Sequence, residues 1–132
     1  MKKLLTVLVF FLLGYNNAMA KFVNNFEEWQ KRNHESQTLY AMGLYDGQAV
    51  PNELDKNAVA EANGLDECAR GLKLTGEFVA SAITGFYEAH PEVQARSAMF
   101  VFRNQIEGVL CVTYINSERV KFGLAPWPIG GP

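Results

Sequence analysis

The sequence predicts an all-α fold, a small helical bundle with an αα-hairpin closed by one disulfide. Two observations support this prediction. Apolar residues recur at helical spacing along two consecutive segments of the C-terminal half, and one cysteine lies at each outer end of that pair. The chain has 132 residues, 48% of them hydrophobic, which is enough for a single domain with a modest core.

The first twenty residues have the pattern of a cleaved signal peptide. Lys2 and Lys3 precede a short apolar run, which is followed by the small-x-small sequence of residues 18–20. The run is too short to span a bilayer as a mature helix, although an uncleaved N-terminal anchor is the alternative. We therefore expect a signal peptide over residues 1–20, a helical domain over residues 21–121 and a Pro/Gly-rich tail over residues 122–132.

The exported form of the protein would be acidic. The chain carries 12 basic and 14 acidic side chains, and loss of the two signal-peptide lysines leaves 10 basic ones and a net charge of −4. Such a protein binds nucleic acid or anionic lipid poorly, because it would approach phosphates against its own field. We expect no nucleic-acid partner and no membrane association after cleavage, whereas a basic protein is a suitable partner.

The first helical element is expected within residues 22–48. Phe22, Phe26 and Trp29 fall on one helical face. The polar residues that follow contain no obvious helix breaker, so the pattern favours one long helix with a possible bend, and two helices are the alternative.

An acidic segment follows, in which turn residues such as Pro51, Asn63 and Gly64 are frequent. Five acids and one base give residues 53–67 a local charge of −4. A short helix is expected over residues 54–62, with Asn52 as its cap and Asp55 in its first turn.

The predicted hairpin consists of two amphipathic helices joined by a tight turn. Thr75 is a good cap for the first helix, whose apolar stripe runs through residues 78–87. His90 and Pro91 end that helix, because the residue before proline disfavours the helical conformation. Pro91 is then expected to begin the second helix. The core stripe of that second helix is predicted to comprise Ala95, Ala98, Met99, Phe102, Ile106, Val109 and Leu110.

Cys68 and Cys111 are predicted to form a disulfide. An exported chain meets an oxidising compartment, so an even pair of cysteines is typical of one bond. In an antiparallel hairpin the two positions meet at the open end, which supports the same pairing. Two free buried thiols are the alternative.

The pattern weakens after Cys111. Residues 112–115 are short, apolar and β-branched, so both a strand and a helical continuation remain open. Three prolines and three glycines exclude a regular helix over residues 122–132. That tail is expected either to pack as an extended arm through Trp127 or to be mobile.

Residue constellations for catalysis or metal binding are sparse. His34 lies in a polar stretch and His90 at a turn, so neither a cysteine–histidine nucleophile pair nor a zinc site is expected. Asp46 and Gly47 lack the spaced carboxylates of a calcium loop. We expect a binding module that is not an enzyme and that holds no cofactor and no metal.

The order of landmarks resembles the Rap/Tai family of type VI secretion immunity proteins. The resemblance covers roughly residues 37–111. It is carried by a Tyr-x-x-Gly helix, a cysteine before the hairpin, a His-Pro-Glu turn and a cysteine that closes the next helix. In this chain those residues are Tyr40, Gly43, Asp46, Gly47, Cys68, His90, Pro91, Glu92 and Cys111.

This resemblance implies a function. Members are small periplasmic helical proteins, often homodimers, that bind a cognate secreted cell-wall amidase and block its Cys-His cleft sterically. The resemblance implies that this chain also forms a homodimer. We expect the inserted element to be the acidic segment or the turn around His90, and solubility alone is the alternative role of the acids. The candidate toxin-binding residues are Glu53, Asp55, Glu61, Asp66, Glu67 and His90. Structural roles are expected for Tyr40, Gly43, Asp46, Gly47 and Pro91, with Gly43 admitting a second helix and the Tyr40 hydroxyl hydrogen-bonded.

Two other functions fit the same sequence. A small disulfide-bonded periplasmic acid-stress chaperone has similar size and architecture and would expose its core near pH 3 to 4. A helical carrier for a small apolar ligand would use an aromatic pocket, with Phe86, Phe100, Phe102 and Trp127 as the candidate lining.

Overall fold

The computed structural model describes residues 22–131, which contain six α-helices and no strand. The predicted all-α class is confirmed. The expected signal peptide lies outside the described residues. None of the described helices combines the length and apolar character that a membrane span requires. In chain order the elements are α1 (Phe26–Gln30), α2 (His34–Gln48), α3 (Lys56–Leu72), α4 (Gly76–Ala89), a 3₁₀ turn (Pro91–Val93), α5 (Ala98–Phe102), a π-helix (Arg103–Leu110) and α6 (Val112–Lys121).

The preference for one helix over residues 22–48 was wrong, because two asparagines cap two separate helices. The Asn25 side chain accepts a hydrogen bond from the backbone of Glu28 at 2.9 Å and starts α1. The Asn33 side chain accepts from Ser36 at 2.8 Å and starts α2. An asparagine that bonds the backbone in this way offers it an alternative to continuing the helix.

Helix α3 is longer than predicted and has a different cap. It extends over 17 residues, and Asp55, not Asn52, accepts the capping hydrogen bond. The expected turn at Asn63 and Gly64 is absent from this helix. Gly64 instead allows a close helix contact, since a Cβ there would lie 2.4 Å from the Cα of Ile115 in α6.

Helix α4 has the predicted bounds, but the helix expected after it is broken. Thr75 caps α4 by accepting from the backbone of Phe78 at 3.2 Å. Pro91 begins only a 3₁₀ turn, and Ser97 then caps α5 by accepting from Phe100 at 3.2 Å. The break is held in place by a tertiary contact, because the Ala98 amide donates to a carbonyl of the segment before α1.

The π-helix changes which side chains face the core. Its wider turn is closed by the amide of Cys111, which donates to the carbonyl of Ile106, five residues earlier, at 2.7 Å. Glu107 is therefore fully buried, whereas Val109, predicted to lie in the core, is 47% exposed.

The predicted disulfide is confirmed. Cys68 of α3 and Cys111, which follows the π-helix, are bonded with their Cα atoms 5.4 Å apart, and both are fully buried. The core around them includes the fully buried Trp29, Tyr87 and Phe102. The indole of Trp29 donates to Thr84 at 2.9 Å, so its one polar atom is satisfied.

The segment after Cys111 is a helix, α6, and the tail packs against it as an extended arm. The Asn116 side chain forms two hydrogen bonds with the backbone of Trp127, at 2.7 Å to its amide and 3.0 Å to its carbonyl. The Arg119 guanidinium lies 5.0 Å from the centre of the Trp127 ring. Further along, the Gly130 amide donates to the carbonyl of Gly108 at 2.7 Å.

Candidate functional site

The acidic segment does not form one surface. Glu53 and Asp55 lie at the start of α3, while Asp66 and Glu67 lie near its end. At 1.5 Å per residue, Asp55 and Asp66 are separated by about 16 Å along the helix axis. The sequence-predicted carboxylates therefore divide into separate groups with different surroundings.

The most outward group is the acidic edge of α3, which we define as Asp66 and Glu67. Both carboxylates are exposed, and each lies 2.7 Å from the guanidinium of Arg70. Exposed pairs of this kind contribute roughly 0–1 kcal/mol to stability. The acidic edge is thus free to exchange its internal pairing for contacts with a partner at small cost.

Glu61 faces the opposite way, towards a second carboxylate that the sequence analysis missed. Its side chain is only 13% exposed and lies 3.7 Å from Arg103. Burial raises the pKa of Glu61, although the nearby arginines oppose that change. Glu61 is therefore poorly placed to contact a partner, and its surroundings are structural.

Glu107 is the second carboxylate of this inward group. One of its oxygens accepts from the Nε of Arg103 at 3.2 Å, whereas the other is buried without a partner among the described residues. Burial, with the negative charge of Glu61 as the next cause, raises the pKa of Glu107 to about 7. The π-helix explains why its position is not evident from the sequence, because ordinary helical spacing does not place residue 107 in the core.

His90 lies at the end of α4, in a different part of the chain from the acidic edge. Its ring is 4.4 Å from that of Phe86, and its Nδ1 lies 3.0 Å from the carboxylate of Glu92. The Glu92 carboxylate also accepts a hydrogen bond from the Glu92 backbone amide. That hydrogen bond, followed by the contact with His90, holds the pKa of the Glu92 carboxyl below its ordinary value. The ring and the carboxylate are exposed, so this turn is a second accessible polar feature.

Of the residues expected to have structural roles, Tyr40 agrees with the expectation and Gly43 does not. The hydroxyl of the half-buried Tyr40 accepts from the backbone of Val23 at 3.1 Å, in agreement with the prediction. The expected helix contact at Gly43 was wrong, since a Cβ there would meet nothing within 4 Å. Asp46 and Gly47 lie on the exposed side of α2, and Pro91 begins the 3₁₀ turn.

The aromatic residues suggested for a ligand carrier belong to different surroundings. Phe102 is fully buried in the core, and the backbone of Trp127 is fixed by Asn116. No cluster of three or more potential metal ligands occurs within residues 22–131.

One pocket is lined by a residue to which the sequence analysis assigned only a structural role. Asp46 of α2 and Asp66 of α3 line the same half-open pocket, together with Tyr45. They are twenty positions apart in sequence, and no spacing rule connects them, so only the packing of the helices reveals this pairing.

Comparisons with protein-family models, with curated proteins and with solved structures gave no match. The resemblance to the Rap/Tai family therefore rests on the residues of this chain alone.

Proposed function

We propose that the protein is an exported immunity protein, which binds a secreted peptidoglycan amidase in the periplasm and blocks its catalytic cleft sterically. The observation that carries the proposal is the acidic edge of α3, presented by a helix that is firmly held on its other side. The ordered landmarks shared with the Rap/Tai family supply the class of toxin.

The restraints on α3 come from two contacts close to the acidic edge. Gly64 lies against the backbone of α6, and Cys68 is bonded to Cys111. Asp66 and Glu67 fall between these two positions in sequence and point outward. A surface fixed before binding loses little conformational entropy on association, which favours affinity.

Charge supports the same proposal. The form beginning at Lys21 carries 10 basic and 14 acidic side chains, so its net charge is −4. Acidic surface groups accelerate encounter with a basic partner surface and disfavour acidic ones. An amidase with basic residues around its cleft is the partner that this surface suits.

A chaperone activated by acid is less compatible with the inward carboxylates. The pKa values of Glu61 and Glu107 are raised in the folded protein. A carboxyl with a raised folded-state pKa binds protons more readily in the native state, so acidification towards its ordinary pKa stabilises the fold. Glu107 therefore opposes unfolding as the pH falls from 7 to about 4.5, and Glu61 acts in the same direction.

The test is retention and inhibition of an amidase. The exported protein is immobilised at neutral pH and exposed to the secreted proteins of its source and of related cells, and bound proteins are identified by mass spectrometry. We expect a Cys-His amidase to be retained and its hydrolysis of purified peptidoglycan to stop at one equivalent of the immunity protein.

Two other results would overturn the proposal. Retention of an amidase with undiminished hydrolysis would exclude inhibition. Failure to retain any amidase at neutral pH, with capture of many denatured proteins at pH 3, would instead establish the chaperone function.

A further inference from the structure

A half-open pocket lies where α2, α3 and the first turn of α4 meet. Its volume is about 250 Å³. This is below the 300–1,000 Å³ typical of sites for free small molecules, and it suits a single long side chain from another protein. The lining includes Met42, Tyr45, Asp46, Asp66, Leu74 and Val79.

The pocket combines apolar walls with two negative charges. Met42, Leu74 and Val79 supply apolar surface, and none of the lining residues is basic. The Asp46 carboxylate has no hydrogen bond or ion pair with any described residue. Asp66 uses one oxygen to contact the exposed Arg70, at 2.7 Å.

Tyr45 contributes no charge of its own to the pocket. Burial, followed by the negative charge of Asp66, raises the pKa of Tyr45 to about 12. The phenol therefore stays neutral, and its hydroxyl donates to the carbonyl of Leu65 at 2.5 Å. Because the Tyr45 phenol is neutral, the charged groups that line the pocket are the carboxylates of Asp46 and Asp66.

The start of α4 adds a smaller charge of opposite sign. A helix N-terminus carries the equivalent of about half a positive charge, which the charge of the Asp46 carboxylate alone exceeds. Glu77 in the first turn of α4 reduces it further. The pocket therefore favours a cation over an anion.

We propose that this pocket receives an arginine side chain of a protein partner, with its stem against the apolar walls and its guanidinium paired with Asp46 and Asp66. Arginine fits better than lysine, because its planar and weakly hydrated head can pair with two carboxylates at once. The identification of that partner as an amidase rests on the proposed function, whereas the chemistry of the pocket does not.

The test uses a probe that contains no amidase. The ¹⁵N-labelled protein is titrated with Nα-acetyl-arginine methylamide, and the uncharged isostere Nα-acetyl-citrulline methylamide is the matched ligand control. We expect saturable amide shifts centred on Tyr45, Asp46, Asp66 and Val79 with arginine and not with citrulline. The lysine analogue is expected to bind more weakly.

Substitutions assign those shifts to the two carboxylates. The double variant Asp46→Asn/Asp66→Asn is expected to weaken arginine binding by about tenfold or more, the scale of a lost charge-assisted hydrogen bond. Glu88→Gln is the matched control, because it removes an exposed carboxylate of α4 that does not line the pocket. It is expected to leave the binding constant within about twofold, as for a screened surface charge.

Equal shifts with arginine and citrulline would overturn the proposal, as would shifts spread over all surface carboxylates. Unchanged binding in the double variant, with its spectrum otherwise folded, would also overturn it. Because the probe is a single amino-acid derivative, a negative result here leaves the amidase test standing, and a negative amidase test leaves this result standing.

Discussion

Replacing Glu107 with glutamine isolates the effect of one buried charge on stability. Glu107 is fully buried, and one of its oxygens has no partner among the described residues. In the folded protein its pKa is about 7, against an ordinary value of 4.5. Between these two pH values the native state binds more protons than the unfolded state, so the free energy of unfolding falls as the pH rises.

The size of the effect follows from the difference between the two pKa values. A change of that size corresponds to about 3 kcal/mol, fully present below pH 4.5 and lost as the pH rises through 7. Glutamine carries no charge and removes this dependence. Its buried amide costs about 1–2 kcal/mol where no acceptor is available. The variant is therefore expected to be about 1–2 kcal/mol more stable than the parent at pH 8 and less stable at pH 5.

Urea unfolding followed by circular dichroism, at intervals from pH 5 to 8.5 with the disulfide intact, measures both profiles. Glu67→Gln serves as the control, since its carboxylate is exposed, and its profile is expected to parallel that of the parent. Parallel profiles for the parent and the Glu107 variant, with no crossing point, would refute the assignment of the pH dependence to this buried carboxylate.

The remaining predictions concern backbone packing, the disulfide and the tail. Gly64→Ala forces a methyl group to within 2.4 Å of the α6 backbone and is expected to cost about 1–3 kcal/mol in urea unfolding. Gly43→Ala, at an open helical position, is expected to gain about 0.5–1 kcal/mol, and equal effects of the two changes would contradict the packing described. Replacing Cys68 and Cys111 with alanine is expected to cost about 4 kcal/mol; an unchanged melting temperature would argue against a stabilising bond. Asn116→Ala removes both hydrogen bonds to the tail. The amides of the tail are therefore expected to exchange hydrogen faster, whereas those of α3 are not. Unchanged exchange in the tail would show that other contacts hold the arm.

The sequence predicted α4 well because strong local signals mark both of its ends. Thr75 has the expected capping hydrogen bond, and His90 with Pro91 ends the helix as expected. The interruptions at Asn33 and Ser97 carry weaker signals, since either residue is also common on an exposed helix surface. Tertiary hydrogen bonds determine whether the helix is interrupted at such a residue. After Ser97, for example, the Ala98 amide donates a hydrogen bond to the carbonyl of Val23, in the segment before α1.

The candidate site was predictable only in part, for reasons of helix geometry. Charge density along the chain identifies Asp66 but not which side of a helix it occupies or what lies beside it. Asp46 joins it through the packing of α2, α3 and α4, which no local pattern encodes. The burial of Glu107 was not predicted, because residues that face the core recur at a different spacing in a π-helix from that in an α-helix.

The disulfide also turns part of the chain into a covalent ring. Residues 68–111 are enclosed, including all of α4 and the irregular segment that joins it to α5. Pro91, Glu92 and Arg96 in that segment are exposed, as at typical sites of proteolytic nicking. A protease that cuts the backbone once between His90 and Ser97 therefore leaves a single covalent molecule, whose two pieces separate only after the sulfur bridge is reduced. For the exported protein proposed above, a first cut of this kind does not release a fragment.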